Sequence, residues 1–456
     1  MPFFSDESLT ILSSLRRERL SHMSDSRWLI LLCTSRLGFA LINTVYAALI
    51  PALRPAWGMS AGEAGAVQSA WHGGYIVSLV AASLFAGRFG ARRTFLGMGW
   101  AACAGSLIFA FGAVDFTTAF IFYGLAGLFA GGSYVPGLTL IAERFPSSSR
   151  GRAMGAYIAA ASLGYAVGLV GSSALADFGG SAAGFLLAVA GALLGQVLAV
   201  IVLRNTKNVV VDASVRGPIV SLASVVWLWQ HKPARYVVIA YTFHAWELLG
   251  MWAWLPAFLS AAVALHTGGS ATLAMAGASL AALTHLVSMI GSLSGGSWSD
   301  RWGRTQVILV MSLSSLCCSL VFGWLMVLPL WLLVMVALFY NLTAIGDSAI
   351  HSATLTEVIP PQHLATAYSV RSITGFGMGV LSPWLFGWVL DRVGAGGNPV
   401  DAWGWAWSRL GLVALGGPAG RIRRLLGLLP AARAGRLVAQ AAHQDRLHDA
   451  LGLDAL

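Results

Sequence analysis

Several ionisable side chains stand within long apolar stretches of this sequence, where an isolated charge is costly, and six of them could act together. They are two arginines, two carboxylates and two histidines: Arg36, Arg371, Glu247, Asp347, His244 and His351. A buried guanidinium can hold a carboxylate or a phosphate through two parallel hydrogen bonds. A buried carboxylate can bind and release a proton, and a histidine one helical turn away can relay it. These residue types predict the binding of a small anion and the movement of a proton.

Helical spacing groups these residues with other polar side chains on shared faces. Three faces result: Arg36 with Asn43, His244 with Glu247, and Tyr340 with Asp347 and His351. We predict a substrate site built from four residues: Arg36, Asn43, Tyr340 and Arg371. We predict that one of the two carboxylates carries the proton and that the two histidines tune or relay it.

Two alternatives to this site remain open. Arg36 could pair internally with Asp347 or Glu247 and bind nothing. The two carboxylates and two histidines could instead form the site of a metal carrier, although we expect no metal.

The composition places the chain in a membrane. Hydrophobic residues make up 57% of the 456 residues and charged residues only 10%, whereas a soluble protein carries about 25% charged residues. The mean hydropathy is +0.74. This balance excludes a soluble enzyme, a nucleic-acid-binding module and a disordered protein. The four cysteines lie in apolar runs, and zinc-binding and nucleophile-elbow motifs are missing, so we expect neither an enzyme nor a cofactor.

Twelve apolar stretches are long enough to cross a bilayer core, which takes ~20 residues per helix. They cover residues 28–50, 63–86, 94–113, 117–141, 153–175, 184–203, 236–258, 273–297, 306–326, 330–354, 367–390 and 403–420. The last is the weakest, because it is short and contains Arg409 and a Gly-Gly-Pro break. We predict an all-α polytopic membrane protein whose twelve transmembrane helices form two pseudo-symmetric six-helix bundles, at 28–203 and 236–420. The connection 204–235 joins the bundles, and the tails cover 1–27 and 421–456.

The distribution of basic residues predicts the orientation. If the N-terminus lies in the cytoplasm, 23 of the 28 Lys and Arg residues fall in cytoplasmic segments, and two, Arg54 and Arg392, fall in outer loops. Cytoplasmic loops of membrane proteins carry such an excess. We therefore predict a multi-pass protein of the inner (cytoplasmic) membrane with both termini in the cytoplasm. The same distribution explains the net charge of +10 without a nucleic-acid partner.

The two halves repeat each other at a nearly constant offset. Five pairs match: His72 with His285, Arg88 with Arg301 and Gly90 with Gly303 at an offset of 213, and Glu143 with Glu357 and Pro146 with Pro360 at an offset of 214. A duplicated six-helix unit is a common plan of transporters, which bind their substrate between the repeats near the middle of the membrane. The paired histidines either pack helices together or transfer protons, and we favour packing.

The loop after the eighth stretch carries a motif of a known family. It reads Gly296-Ser297-Trp298-Ser299-Asp300-Arg301-Trp302-Gly303-Arg304. With the twelve stretches and the central connection, this loop resembles the major facilitator superfamily, whose signature is Gly-x-x-x-Asp-Arg-x-Gly-Arg. The first-half copy departs from it, with Gly87 in place of Asp and Ala91 in place of the second Arg. The resemblance implies a secondary transporter that works by alternating access, with helices 1, 4, 7 and 10 around a central cavity.

The resemblance also implies that charged loops close the cytoplasmic side. Asp300 would face the start of the fifth helix near Arg152, since a carboxylate is favoured beside the N–H groups of a helix N-terminus. In the first half this contact is missing at Gly87, so we expect an asymmetric latch.

Ion pairs would complete that latch. Arg301 or Arg304 would pair with Glu357, and Arg88 would pair with Glu143. The alternative is that these charges only anchor their loops in the headgroup region, because exposed ion pairs contribute little.

We therefore expect a proton-coupled transporter of a small organic anion that acts as a monomer in the lipid bilayer. The alternatives are a drug or metabolite efflux antiporter and a non-transporting sensor on the same fold. Tyr123 stands where many proton-coupled members of the family carry an arginine, which makes a multidrug exporter less favoured.

Overall fold

The computed structural model describes residues 23–210, 221–268 and 273–417, which form helices joined by short connections. We number the membrane spans in chain order. In the first half, span 1 comprises Asp25–Ala40 and Val45–Ala56, span 2 Ala61–Phe89, span 3 Ala91–Gly112, and span 4 Phe116–Ala130 and Val135–Arg144. Spans 5 and 6 lie within Ser147–Leu203, which non-helical backbone at Gly179 and Gly180 divides.

The second half repeats this order after a linker helix, Leu222–Gln230. Its spans are span 7 at Lys232–Thr267, span 8 at Leu273–Trp302, span 9 at Arg304–Val321, span 10 at Leu330–Gly346 and Ser348–Val358, span 11 at Pro361–Gly394 and span 12 at Pro399–Ala414. The predicted tail 421–456, most of the predicted tail 1–27 and the middle of the predicted connection 204–235 lie outside the described residues.

The prediction of an all-α polytopic membrane protein is confirmed. Ten described helical segments have the length and hydropathy to cross a membrane, and one of them, Ser148–Leu203, contains both span 5 and span 6. Span 12 is the exception, because its helix has 16 residues. It begins before the predicted stretch 403–420 because Asn398 caps it, accepting a hydrogen bond from the N–H of Val400, with a proline in the first turn.

Capping residues fix the starts of spans 2 and 4. Ser60 and Glu63 exchange side-chain hydrogen bonds with each other's backbone N–H groups at the start of span 2, and Asp115 and Thr118 do so at span 4. Such reciprocal bonds satisfy N–H groups that a helix leaves unpaired. The backbone N–H and the hydroxyl of Thr118 hold the pKa of Asp115 below its ordinary value.

Spans 1, 4 and 10 are interrupted near their middles. Turns of 3₁₀ helix at Leu41–Asn43 and Gly131–Ser133 break spans 1 and 4, and Asp347 separates the two helices of span 10. Pro136 contributes to the break in span 4, because proline has no N–H to offer the carbonyl four residues before it. Broken helices bring backbone and polar groups to the middle of a bundle, where transporters place their sites.

Two tyrosines satisfy the carbonyl groups at these breaks. The hydroxyl of Tyr123 donates to the carbonyls of Ile42 at 3.0 Å and Asn43 at 2.9 Å, and the hydroxyl of Tyr157 donates to that of Ser133. An unpaired carbonyl in the membrane interior costs several kcal/mol. Tyr123 therefore stabilises the break in span 1.

Spans 2 and 11 close one end of the bundle. We call the end with the loops at Arg88 and Arg301 the basic end and the opposite end the far end. At the far end, a methyl group on Gly65 would clash with the carbonyl of Pro383, and one on Gly387 would clash with that of Ala61. Small residues allow helix backbones to approach this closely, so the two halves touch directly there.

Candidate functional site

A cavity of about 530 Å³ lies between the two halves, on the basic-end side of this closure. Phe376, which is part of the lining, packs against Tyr75 with ring centroids 5.4 Å apart. Spans 2, 4, 5, 7, 10 and 11 line it, mainly with apolar and aromatic side chains, and Arg371 is the one charged side chain in the lining. A cavity of this size and character suits a small molecule with an apolar body and one charged group.

Arg371 is held on the cavity wall by a ring and a hydroxyl. Its guanidinium lies 3.7 Å from the ring centroid of Tyr241, and Nη1 donates to Oγ of Ser352 at 2.9 Å. The side chain is largely buried, with 9% of the residue exposed. Stacking on an aromatic face fixes a guanidinium plane while leaving its edge free for an oxyanion.

Arg36 lies behind the cavity wall in this conformation. Its Nη1 donates to Oγ of Ser133 at 2.6 Å, in the break of span 4. Its guanidinium faces the rings of Tyr134 at 5.3 Å and Tyr157 at 5.9 Å. Tyr134 also lines the cavity, so this ring stands between the second predicted arginine and the space where a ligand would bind.

Neither arginine pairs with an acidic residue among those that the structure describes. In the part of the chain that the structure describes, no carboxylate oxygen lies within 4.0 Å of a nitrogen of Arg36 or Arg371. The Nε atoms of both are buried without a hydrogen-bond partner. The alternative in which Arg36 pairs with Asp347 or Glu247 is therefore not realised in this conformation.

Asp347 is the centre of a polar cluster in the second half. Its Oδ1 lies 3.0 Å from Nδ1 of His244, and its Oδ2 lies 3.4 Å from Nε2 of His351. Ser312 donates to Oδ2 at 3.1 Å, and His244 bonds through Nε2 to the hydroxyl of Ser348 at 2.7 Å. The structure thus brings together three of the predicted proton-coupling residues.

The same three side chains offer one ligand atom each within 4.8 Å of one another. A metal ion could bridge such a spacing, but a closed zinc site uses four protein ligands. Asp347 contacts both histidines directly, and Glu247, the fourth residue of the metal-carrier alternative, is not part of this group.

Glu247 lies beside this cluster, in a small polar pocket between spans 7, 9, 10 and 12 that His244 and Asp347 also line. The hydroxyl of Ser315 donates to its Oε2 at 3.1 Å, and only 5% of the residue is exposed. No Lys, Arg or His nitrogen lies within 4.0 Å of its carboxylate among the described residues. The sequence interpretation missed Ser312 and Ser315, although their spacing of three residues places both on one face of span 9.

Tyr241 connects this cluster to the cavity. Its ring centroid lies 5.6 Å from that of His244 and 5.7 Å from that of His351, and Arg371 stacks on it. A continuous set of contacts therefore joins Arg371 and Tyr241 to His244, His351 and Asp347.

Two residues predicted to bind substrate lie elsewhere. Tyr340 is fully buried against Phe322 and Trp407, with ring centroids 5.7 and 5.9 Å away, and its hydroxyl is near Glu247 but outside hydrogen-bond geometry. Asn43 lies in the 3₁₀ turn of span 1. The spacing of seven residues between Arg36 and Asn43 implies a shared face only in an unbroken helix, and that helix ends at Ala40.

The charged loop of the second half forms its own network. Nε of Arg304 lies 2.7 Å from Oε1 of Glu357, and Nη1 lies 3.0 Å from Oδ1 of Asp300. The pairing of Arg304 with Glu357 is thus present, whereas Arg301 is exposed. Among the described residues, no ion pair joins Asp300 to Arg152 at the start of span 5, and its carboxylate pairs with Arg304 of its own half.

The first-half loop contributes no equivalent pair. Arg88 packs over the ring of Phe89 at 5.7 Å, and no ion pair joins it to Glu143 within the described residues. The repeated glycines of the two loops have a backbone reason, since Gly90 and Gly303 adopt φ values of +91° and +88°, which side chains disfavour.

The paired histidines lie at the two interfaces between the halves. The Cγ atom of His72 in span 2 is 2.8 Å from the position of a methyl group on Gly379 in span 11. The ring of His285 in span 8 is 5.7 Å from that of Tyr165 in span 5. These contacts support the packing interpretation.

Asp391 is a functional candidate that the sequence interpretation missed. Its two carboxylate oxygens accept hydrogen bonds from the backbone N–H groups of Ala61 at 2.8 Å and Gly62 at 2.6 Å. It stands at the end of span 11 and joins the halves at the far end. The only signal in the sequence is an acidic residue at the end of an apolar stretch, which does not identify its partner.

Comparisons with known proteins agree with this architecture. The family model described as Major Facilitator Superfamily matches residues 31–383, and a search of the curated proteins finds no match. A mutant of the nucleoside transporter NupG has a TM-score of 0.68 at 14% identity, covering 87% of this chain and 99% of that one. A bacterial homologue of the human lysosomal transporter Spinster, inward-facing and unoccupied, has a TM-score of 0.70 at 14% identity, covering 88% and 96%.

A peptide transporter, POT, in complex with sulfate is similar to the same degree, with a TM-score of 0.67 at 14% identity and coverage of 90% and 95%. The fold, the cavity between two repeated halves and the family match define a membrane transporter and not an enzyme. The chain belongs to the major facilitator superfamily. At this level of identity the solved structures share the fold alone.

Proposed function

We propose that this transporter moves a small organic anion together with a proton by alternating access of one central cavity. The anion binds at Arg371 and Arg36, and the proton is carried by Glu247 within the polar cluster of Asp347, His244 and His351.

The observation that carries the anion proposal is the pair of buried arginines that contact no carboxylate in the described part of the chain. One comes from each half, and the cavity between them is bordered by Arg371 and by Tyr134, which contacts Arg36. A buried cation without a counter-ion costs several kcal/mol. An anionic ligand would supply that counter-ion, and rotation of the Tyr134 ring would admit it to Arg36.

The cavity lining indicates the remainder of the ligand. Leu79, Ile158, Ile373 and Phe376 contribute apolar surface. Because this surface loses contact with water when an apolar group covers it, we infer a carboxylate or phosphate attached to an apolar or aromatic body.

Glu247 is the favoured proton carrier because of its surroundings. An ionised carboxylate without a cationic partner costs several kcal/mol in such an interior, and for this reason we assign the transported proton to Glu247. Asp347 differs, because two histidines and a serine surround it. Arrival of an anion at Arg371 changes the charge beside Tyr241, which contacts both histidines, and this links the two binding events.

The distribution of basic residues supports a membrane orientation with the basic end in the cytoplasm. The cavity would then face inward, with the far end closed. We accordingly propose the inner membrane as the location and cytoplasmic termini. Measurements of substrate flux would distinguish this proposal from the antiporter and sensor alternatives.

The test is ligand-induced thermal stabilisation of the purified full-length protein with small carboxylates, organic phosphates and lipophilic cations. We expect anions to stabilise it and Arg371→Ala to raise their Kd at least tenfold, because a hydrogen bond to a charged group contributes about 1.5–3 kcal/mol. Arg36→Ala should weaken binding too. Arg392→Ala is the matched control, because Arg392 also stacks on a ring, that of Trp388 at 5.3 Å, but does not line the cavity.

Stabilisation by lipophilic cations alone, unchanged by Arg371→Ala, would overturn the anion proposal and favour an efflux antiporter. Anion binding without uptake or exchange in proteoliposomes would favour a sensor. Uptake of the anion that an imposed proton gradient does not change would overturn proton coupling.

A further inference from the structure

A second large cavity lies on the outer surface of the first half. It is a groove of about 600 Å³ between spans 2, 3 and 4. Its walls are almost entirely apolar and include Phe85, Phe89, Met98 and Phe129. Phe85 and Phe89 are 44% and 48% exposed, so the groove opens away from the protein and toward the surrounding membrane.

The basic end of this groove carries an arginine. Arg93 is part of the lining and is exposed. Its backbone N–H bonds to Asn208, but its guanidinium has no hydrogen bond or ion pair to any described residue. Arg88 and Arg92 stand in the same loop, and the loop 87–93 contains no acidic residue. The groove thus joins an apolar floor to a strongly positive mouth.

Gly97 forms part of the floor, one helical turn from Arg93. A methyl group on Gly97 would meet no atom within 4 Å. Glycine inside a helix is less favourable than alanine, and other glycines of the bundle, such as Gly65, have backbone neighbours that require them. No neighbour requires Gly97, so within the protein its effect is to keep the groove open.

The second half of the chain has neither the arginine nor the glycine at the equivalent positions. The offset of 213 residues that relates Arg88 to Arg301 places Gln306 at the position of Arg93 and Val310 at the position of Gly97. The positive mouth and the open floor are therefore properties of this surface and do not follow from the repeat itself.

We propose that this groove is a binding site for a membrane phospholipid with an acidic headgroup. The acyl chain would lie along Gly97 and Phe129, and the phosphate would bind Arg93 at the level of the headgroups. Charge complementarity selects this occupant, since basic pockets between spans recognise acidic lipids and an apolar groove alone would accept any chain.

The experiment measures lipid retention by the purified full-length protein with native mass spectrometry, after exchange into detergent containing equal amounts of phosphatidylglycerol and phosphatidylcholine. We expect retention of phosphatidylglycerol over phosphatidylcholine by about fivefold or more, the factor expected for one arginine near an acidic lipid. Arg93→Gln, which copies the second half, should abolish the preference. Gly97→Phe should reduce retention of both lipids, because its ring would occupy the floor of the groove, where an added Cβ atom meets no neighbour within 4 Å. Arg150→Gln is the control for an arginine at the same end outside the groove.

Equal retention of the two lipids by the unaltered protein would overturn the proposal. So would a preference that survives Arg93→Gln, or retention that Gly97→Phe leaves unchanged. Thermal unfolding of each variant without added lipid shows that the variants are folded, and the anion-binding assay at Arg371 separates this site from the central cavity.

Discussion

The carboxylate of Asp391 caps the first turn of span 2, with one oxygen 2.6 Å from the backbone nitrogen of Gly62. The two residues are 329 positions apart and belong to different halves. A helix N-terminus offers unpaired N–H groups and the positive end of the helix dipole. The far end is therefore closed by a charge-assisted contact, which we call the far-end clasp. It resembles in kind the contact expected for Asp300 at the basic end.

Replacing Asp391 by asparagine should open the far end. A carboxylate at a partly buried helix N-terminus contributes up to ~2 kcal/mol, so Asp391→Asn should raise the ratio of far-end-open to far-end-closed molecules by up to about 30-fold. Spin labels at Ala56 and Ala395, one in each half, should then show a longer distance population.

Asp401→Asn is the control for the far-end clasp. Asp401 accepts a hydrogen bond from Asn398 within its own half, so its loss should leave the distance distribution unchanged. An Asp391→Asn protein with the distribution of the unaltered protein would show that helix packing alone closes the far end.

The glycine contacts between spans 2 and 11 make a second prediction. A methyl group on Gly65 would clash with the carbonyl of Pro383, and overpacking costs typically 1–3 kcal/mol. Gly65→Ala should therefore lower the thermal midpoint and favour the far-end-open state.

Gly73→Ala provides the matched control for Gly65 on the same helix. A methyl group there lies 3.9 Å from its nearest neighbour, a side-chain methyl of Val380, which is ordinary contact. Its thermal midpoint should stay equal or rise, because alanine is the better helix former. Equal losses in the two variants would mean that span 2 does not need close approach at Gly65.

Glu247→Gln tests the proton carrier. The amide imitates a protonated carboxyl group and cannot release a proton, so exchange of substrate should persist while uptake driven by a proton gradient falls to an accumulation ratio of about one. Measurement of both modes in proteoliposomes decides this. The control is Glu143→Gln, which changes an exposed carboxylate and should behave as the unaltered protein. If the Glu247→Gln protein still accumulated substrate in response to a proton gradient, the proton carrier would be a residue other than Glu247.

Asp300→Asn tests the latch expected at the basic end. Because Asp300 is exposed and pairs with Arg304 at 3.0 Å, its loss should change stability by less than about 1 kcal/mol. Spin labels at Gly151 and Gly296, where side chains meet no neighbour within 4 Å, report on the basic end. In the Asp391→Asn protein, these two labels should show a population of molecules whose basic end is closed. Adding Asp300→Asn to that protein should make this population smaller. Identical distributions would show that Asp300 only anchors its loop.

The sequence predicted the architecture closely, whereas the site that it indicates stays a prediction. Apolar stretches and their repeat depend on local composition, so they identified the spans and the two halves. Tyr340 shows what helical periodicity cannot predict. Its spacing from Asp347 suggested one shared polar face of span 10, but its ring packs in an aromatic core beside Trp407. Periodicity indicates that residues share a face and does not indicate what the face packs against.

By itself, the sequence determined that this chain is a duplicated, polytopic helical protein of a transporter family, because hydropathy, basic loops and the motif at Asp300 are properties of neighbouring residues. The tertiary structure decided that no carboxylate of the described residues pairs with Arg36 or Arg371, that Asp347 contacts two histidines, and that Asp391 caps span 2 from the other half. Such contacts join residues far apart in the chain. They depend on the rotation of each helix and on where spans 1, 4 and 10 break, which only packing of the whole bundle fixes.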